Sequence, residues 1–589
     1  MSKPHLNWDL TDLYPSISAP EVEADMQHLI SGAKAFARKY DGRIETLSAD
    51  ELAASIVEYE ELSELSHKLA TYAYLQFATD MLDEKISKFY QDIYEKLTDV
   101  ESELVFYALA LNRIDDADLA EKTKSNTTLA KYAPWLRDLR ASKPYQLNDD
   151  LEKYEVEKSI TSRQAWTKLF DETHANLKYD FDGEQLGNSE IFDKMKSTDR
   201  AVREKAARAV EKTLLANSSL FATITNNLAK DKSISDKWRG FAKPISSRNL
   251  DNLVEDEVVD ALQNTVKANY ADLAHRYFRL KAKILKLDKL EYWDRNAPLD
   301  EVEENIPYKE AIEIVLAAYD EFSPKMAEIG RKFFDNAWID VKPGKGKDSG
   351  AFSHPCVPSV HPYLLLNYQN KVDDVMTLAH ELGHGVHQYL AAEQGTLMAD
   401  TPLTLAETAS VFGEQLVFRS LLAKQTDPIA RRNMIAGKVE DMLNTVVRQI
   451  AFSEFERQVH DARREGELSV TQLGEIWMQA QRDSLGDIFN FAPEYAIYWS
   501  YIPHFIHTPF YVYAYAFGDC LVNSLYSAYQ SGKVENFEEK YIEMLKAGGT
   551  LRHKELLAPF GLDASKPDFW QGGLDVISGF IDKLENSCK

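Results

Sequence analysis

A mainly α-helical fold is predicted by three observations. Gly and Pro are scarce, at 25 and 20 of 589 residues. Leu, Ala, Glu and Lys dominate most segments, and apolar residues recur at helical spacing over long uninterrupted runs. The length corresponds to about three to four domain-sized units, some of which can fuse into one helical body. A net charge of −26 without a concentrated basic face excludes a nucleic-acid partner and reads as solvated helix faces. Cys356, Cys520 and Cys588 are few, odd in number and far apart, so no disulfide framework is expected. The N-terminus lacks the apolar core of a signal peptide, and no 18-residue uncharged apolar run exists. The nearest, Ile497 to Val522, is interrupted by His504, His507 and Asp519. A cytoplasmic protein without a membrane partner is expected, its oligomeric state left open.

In chain order, the extended lead-in WDLTDLYP gives way to a helix expected after Pro20. Helical periodicity then runs from Glu51 to Leu111 with almost no Gly or Pro, which predicts a stack of long antiparallel helices. Pro144 marks a break, and a turn at Gly187 precedes a helix cap expected at Ser197 or Thr198. From Arg200 to Lys286 the pattern is again helical. Between Trp338 and Gln369, β-rich runs separated by Pro and Gly predict a small antiparallel sheet. Such a sheet is either a structural hairpin over the core or an edge on which an extended peptide pairs. Beyond Leu390 the chain reads as helix to its end, apart from the turn-rich APFGLDASKPDFWQGG.

The stretch VDDVMTLAHELGHGVHQYL, Val372 to Leu390, carries the chemistry. Four residues are about one helical turn, so His380 and His384 share a face while Val375, Leu378, Leu382, Val386 and Leu390 bury another. Asp373 and Asp374 suit the first turn, where carboxylates oppose the helix dipole. This is the HExxH pattern, in which two imidazoles bind zinc and the glutamate, here Glu381, polarises a water. A catalytic zinc takes three protein ligands. The metzincin completion needs Gly at 387 and His at 390, whereas the chain has His387 and Leu390. A carboxylate from a second helix is the remaining solution, and Glu407, on a helix begun near Thr401 and Pro402, supplies it. Thr404 and Glu407 also have capping-box spacing. Glu414, seven residues on, is a candidate to orient a ligand histidine. His387, on the metal face, is either a substrate contact or a space-filling residue.

The chain resembles the oligoendopeptidase F branch of the thimet-oligopeptidase family of zinc metallopeptidases. The matching stretches are WDLTDLY (Trp8 to Tyr14), GAF (Gly350 to Phe352), HPYLLLNYQNKVDDVMTLAHELGHGVH (His361 to His387), LAETASVFGE (Leu405 to Glu414) and HFIHTPFYVYAYAFG (His504 to Gly518). The resemblance implies a bilobed helical metallopeptidase fold with a deep central channel, an N-terminal lobe over 1–190 and a catalytic domain over 191–589. It implies one zinc per chain and cleavage of internal bonds in short unfolded oligopeptides, folded proteins being too large to enter. His380, His384 and Glu407 are then the ligands and Glu381 the general base. His504, Tyr511, Tyr513 and Tyr515 fall at the family's substrate and oxyanion contacts. The spacing here differs from the thimet enzymes, so either Tyr513 or Tyr515 takes the oxyanion position. A helical zinc carboxypeptidase and a non-enzymatic peptide-binding scaffold are the alternatives.

Overall fold

A computed structural model describes residues 4–299 and 305–588. The chain forms two compact units, neither continuous in sequence: Met1–Lys143, Glu303–Lys424 and Gly532–Gly561 make the first, and Pro144–Val302, Gln425–Ser531 and Leu562–Lys589 the second.

The first unit opens with three long helices, Pro20–Tyr40, Ala49–Thr79 and Glu84–Arg113. Pro20 takes the first helical position, where its missing N–H costs nothing. Ser48 and Glu51 cap the second helix reciprocally. The run read as continuous from Glu51 is broken once, at Asp80–Asp83. Neither Gly nor Pro causes the break: the Asp83 carboxylate accepts the Lys85 and Ile86 N–H groups and starts a new helix. Between the three helices Phe36 meets Tyr107 edge-on at 5.0 Å, both fully buried.

In the same unit the helices Tyr308–Phe322, Pro324–Asp335, Ser410–Lys424 and Phe537–Lys546 pack on the helix Val372–Ala391, which lies against a three-stranded sheet. The sheet is mixed, not wholly antiparallel as expected. Phe352–His354 runs antiparallel to the central strand Tyr363–Leu365, but Ile339–Asp340 runs parallel to it. A parallel neighbour needs a crossover and cannot be a hairpin. The connection from 341 to 362 provides it and carries the other outer strand on the way. Lys347 fastens this connection, its buried ammonium 2.6 Å from Asp340 and bonded to the carbonyls of Lys342 and Leu366.

The second unit packs Arg200–Ala216, Ser218–Arg239, Val447–Glu465, Val470–Leu485 and neighbouring helices around Trp477, Tyr495, Tyr292 and Phe455. The cap of the helix at 200 is Asp199, not Ser197 or Thr198. Its carboxylate accepts the Ala201 N–H at 2.8 Å, while Ser197 Oγ accepts the Asp199 N–H instead. Cys356, Cys520 and Cys588 are free thiols. Among the described residues no helix is long and apolar enough to cross a membrane.

Candidate metal centre

The helix Val372–Ala391 starts where the Asp374 carboxylate accepts the N–H groups of Lys371 and Gln369, at 2.9 and 2.7 Å. It buries Val375, Leu378, Ala379, Leu382, Val386 and Leu390. Gly383 decides how closely it meets the next helix. A Cβ there would lie 2.5 Å from the Ala409 carbonyl oxygen and 2.7 Å from Ser410 Cα, so only glycine lets the two backbones touch. On the opposite side, Gly413 leaves room for the Tyr319 ring, whose hydroxyl donates to the Ala379 carbonyl at 2.7 Å.

This contact brings the histidines and the downstream glutamate together. Glu407 Oε2 lies 3.4 Å from His380 Nε2 and 3.5 Å from His384 Nε2, and one ligand atom from each residue falls within 4.8 Å of the others. Tetrahedral ligands at about 2.0–2.2 Å from a zinc ion sit about 3.3–3.5 Å apart, so the donor set fits a metal ion. The sequence placed Glu407 on a helix, but in the structure it lies between two helices. It follows the four-residue helix Leu403–Ala406 and precedes the helix Ser410–Lys424. Nor does its carboxylate cap Thr404, because Pro402 occupies the cap position; instead it accepts the Ser410 hydroxyl at 2.6 Å. Tyr541 donates to the neighbouring Thr408 carbonyl at 2.8 Å.

Glu414 lies 3.4 Å from His380 Nδ1, the carboxylate–imidazole arrangement that orients a metal ligand. Burial pulls His380 down, but the Glu414 hydrogen bond and the charges of Glu407, Glu381 and Glu414 outweigh it, and its pKa rises. Burial holds His384 well below the ordinary histidine range, helped by His380 and opposed by Glu407. The nearby Ala406 carbonyl also acts against that lowering.

Glu381 is 7 % exposed, and burial pushes its carboxyl up to about 7, with His380 lowering it and Glu407 raising it. The nearby Ser353 backbone N–H acts to lower it, and Gln388 donates to the Ser353 carbonyl at 3.3 Å and accepts its hydroxyl at 2.7 Å. The metal helix thus engages Ser353, the middle residue of the outer strand Phe352–His354. A cavity of about 460 Å³ opens beside His384, lined by His67, Ala70, Thr71, His354, Cys356 and Gln388 among others.

The remaining sequence candidates belong to the second unit. There the structure brings together His504, Tyr511 and Tyr515: His504 Nε2 lies 3.2 Å from Tyr515 Oη, and the Tyr511 and Tyr515 rings are 5.2 Å apart. Tyr515 is 36 % exposed. Tyr513 is not part of this group. It is fully buried and its hydroxyl accepts Asn252 Nδ2 at 2.8 Å, because alternate positions entering a helix face opposite ways.

The loop carrying these residues is pinned by three side chains. Arg163 donates to the His507 carbonyl, Arg248 to the Pro509 carbonyl, and the Phe510 N–H to Glu456 Oε1 at 2.9 Å. Phe510 has φ +60°, a left-handed conformation costly for a bulky residue, and the Glu456 bond offsets that cost. Burial pushes Glu456 up to about 8, against the lowering effects of the Phe510 N–H and Arg248. A carboxyl raised from about 4.3 stabilises the fold fully at low pH and loses that contribution as pH rises, at up to about 1.4 kcal/mol per pH unit. With the folded value about 8, the loss runs through the window from about 4.3 to 8. Glu456→Gln is expected to flatten this slope in thermal melts at pH 5 and 8. An unchanged difference between the two melting temperatures would refute the assignment.

Sequence reasoning missed Ser410 and Tyr541. No periodic or motif signal marks them, since each acts on Glu407 or the backbone beside it through contacts set by packing.

A sequence profile of Peptidase family M3 matches residues 194–576, and one described as Oligopeptidase F matches 111–179. Oligopeptidase PepF of Bacillus subtilis is 28 % identical over 594 residues, 98 % of this chain and 86 % of that protein. Group B oligopeptidase PepB of Streptococcus agalactiae is 27 % identical over 595 residues, covering 98 % of this chain and 96 % of its own. The fold is shared with the crystal structures of a putative peptidase from Chlamydophila abortus (TM-score 0.88, 23 % identity, 99 % and 98 % of the two chains) and of oligoendopeptidase-F from Enterococcus faecium (0.72, 20 %, 96 % and 99 %). With profiles that together span most of its length and a His–His–Glu cluster on its HExxH helix, the chain belongs to peptidase family M3, as a metalloendopeptidase of the oligoendopeptidase F branch.

Proposed function

We propose that this protein hydrolyses internal peptide bonds of short, unfolded oligopeptides, with one zinc ion held by His380, His384 and Glu407 and with Glu381 as general base. The observation that carries the reading is the pair of 3.4 and 3.5 Å separations around Glu407 Oε2, the edge lengths a tetrahedral zinc site demands. When bound, the ion supplies Lewis acidity to the attacking water and to the carbonyl under attack.

The chain's own groups divide the remaining work. Glu381, buried on the same helix, takes the proton of the attacking water on its carboxylate and returns it to the leaving amine nitrogen. His380 is kept in orientation by the Glu414 carboxylate. The cavity beside His384 has room for a substrate side chain. His504, Tyr511 and Tyr515 donate hydrogen bonds to the peptide and to the forming oxyanion, a task a neutral phenol performs without adding charge. Tyr513, committed to Asn252, is left out of that set and Tyr515 takes the oxyanion role.

A peptide blocked at both ends, incubated with the zinc-loaded protein, is expected to yield one or a few internal fragments by mass analysis. Chelation is expected to stop the reaction and added zinc to restore it. Stepwise loss of single C-terminal residues from an unblocked peptide, with the blocked one intact, would replace the proposal with a carboxypeptidase. Cleavage indifferent to chelation would end it.

A further inference from the structure

Two arginines of the second unit, Arg295 and Arg448, adjoin each other. Arg295 follows the short turn Tyr292–Asp294, and its Nη2 donates to Asn444 Oδ1 at 3.1 Å. Asn444 and Arg448 are four residues apart across the junction of the helices Pro428–Thr445 and Val447–Glu465. There the Val446 N–H donates to the Met442 carbonyl and the Ile450 N–H to the Val446 carbonyl, so the helical repeat continues through the junction. Residues at that spacing share a face, and the Asn444 contact therefore sets Arg295 against Arg448. Arg448 Nη2 donates to the Tyr501 hydroxyl at 3.1 Å, and its guanidinium lies 5.0 Å from the centre of the Phe452 ring. Tyr501 is three residues before His504, and Phe452 meets Phe505 at 5.5 Å, so the pair borders the segment that carries His504.

The protein does not balance the charge of this pair. A guanidinium has several N–H donors, and the partners just named, an amide and a phenol, are neutral. Among the described residues neither arginine is ion-paired with a carboxylate, and both Nε–H groups are buried without a partner. The neighbouring acids are engaged elsewhere. Asp294, the residue before Arg295, is shared by Arg200 and Arg203 at 2.8 and 2.9 Å, and Glu440 accepts from Lys281 and Tyr277. Burial, followed by the charge of Arg448, holds Arg295 down to about 10, with Tyr495, Tyr501 and Glu440 acting the other way. In a chain with 94 Asp and Glu against 68 Lys and Arg, leaving two adjoining arginines without a carboxylate is costly. Both residues stay partly exposed, so an anion from outside can reach them.

We propose that Arg295 and Arg448 form a carboxylate-binding subsite for the peptide, beside the His504, Tyr511 and Tyr515 group, and so determine which peptides are selected. Guanidinium forks match the two oxygens of a carboxylate in geometry and charge. A peptide brings such a group at its C-terminus and on Asp and Glu side chains. This inference rests on the peptide-hydrolase reading above.

Two probe sets separate the sources. N-acetylated peptides of uncharged residues, ending in a free carboxylate or a carboxamide, report on the C-terminus. Amidated peptides carrying a single Glu or Gln at each internal position in turn report on side chains. Dissociation constants are measured on the chelated protein and kcat/KM on the zinc-loaded one. In at least one set the carboxylate member is expected to bind about 10–100-fold more tightly than its uncharged counterpart, the range of charge-assisted hydrogen bonds. Arg295→Met and Arg448→Met each remove one fork at similar length and are each expected to cut that ratio about tenfold. Arg448→Lys keeps the charge without the fork and is expected to cut it less. A purely structural role would lower the melting temperature and leave the ratio alone. Equal binding of both members of every pair by the wild type overturns the proposal without any variant, as does an unchanged ratio in a folded Met variant. Should neither Met variant fold, an unchanged ratio in Arg448→Lys overturns it. Failure of the hydrolase reading looks different, since the carboxylate preference in binding would then persist while no peptide yielded fragments.

Discussion

Glu381→Gln is expected to yield a folded protein that binds zinc like the wild type and hydrolyses peptides about 10²–10⁴ times more slowly, the share general-base catalysis contributes. The substitution is isosteric. The neighbours of the helix are unchanged, so stability is preserved. What disappears is the proton acceptor. A glutamine cannot take a proton from water at neutral pH, so kcat falls while KM and metal stoichiometry stay near wild type. Single-turnover hydrolysis of one peptide, measured beside metal content, checks both halves. A variant retaining more than about a tenth of wild-type kcat would show that another group serves as base.

Glu407→Ala is expected to act on the metal itself. Removing one of three protein ligands should weaken zinc binding by at least about 10²-fold, beyond the loss expected for a partner of a ligand. Purified after dialysis, the variant should carry well under one zinc per chain. Its fold should persist, because the carboxylate's protein partners are the Ser410 hydroxyl and the two imidazoles, and Tyr541 still holds the neighbouring backbone. Glu414→Gln is the informative companion, since it removes a charge from His380 Nδ1 and leaves the ligand set complete. Its effect on zinc affinity should be smaller than that of Glu407→Ala. A full complement of tightly held zinc in Glu407→Ala would place the third ligand elsewhere.

Both predictions depend on close contacts as much as on residue identity. Gly383 admits the Ala409 carbonyl and Ser410 Cα to within van der Waals distance of the metal helix. Glycines can be read from a sequence, but the one that serves a close approach cannot be singled out there. Gly385 looks equivalent in HELGHGVH, yet it faces the Phe333 ring and seats a different helix. The same limit applied to the tyrosines. Their spacing after His504 left Tyr513 and Tyr515 equal candidates, and only burial against Asn252 separated them.

The strand region shows a related limit. Pro, Gly and β-branched runs between Trp338 and Gln369 announced a small sheet, yet its central strand comes last in the chain and one pairing is parallel. Strand propensity is a local property, whereas strand order is settled by the crossover the chain makes.

By itself the amino-acid sequence determined the helix that carries His380, Glu381 and His384, the shared face of the two imidazoles and the need for a further carboxylate downstream. These follow from the 3.6-residue repeat and the coordination habits of zinc, both of which act over a few residues. The tertiary structure alone decided that Glu407 sits between two helices within 3.5 Å of both imidazoles, that the Ser410 hydroxyl donates to its carboxylate, and that Tyr513 belongs to the core. Those outcomes come from packing between segments distant in the chain, where the deciding quantity is how closely two backbones approach, and no local pattern encodes it.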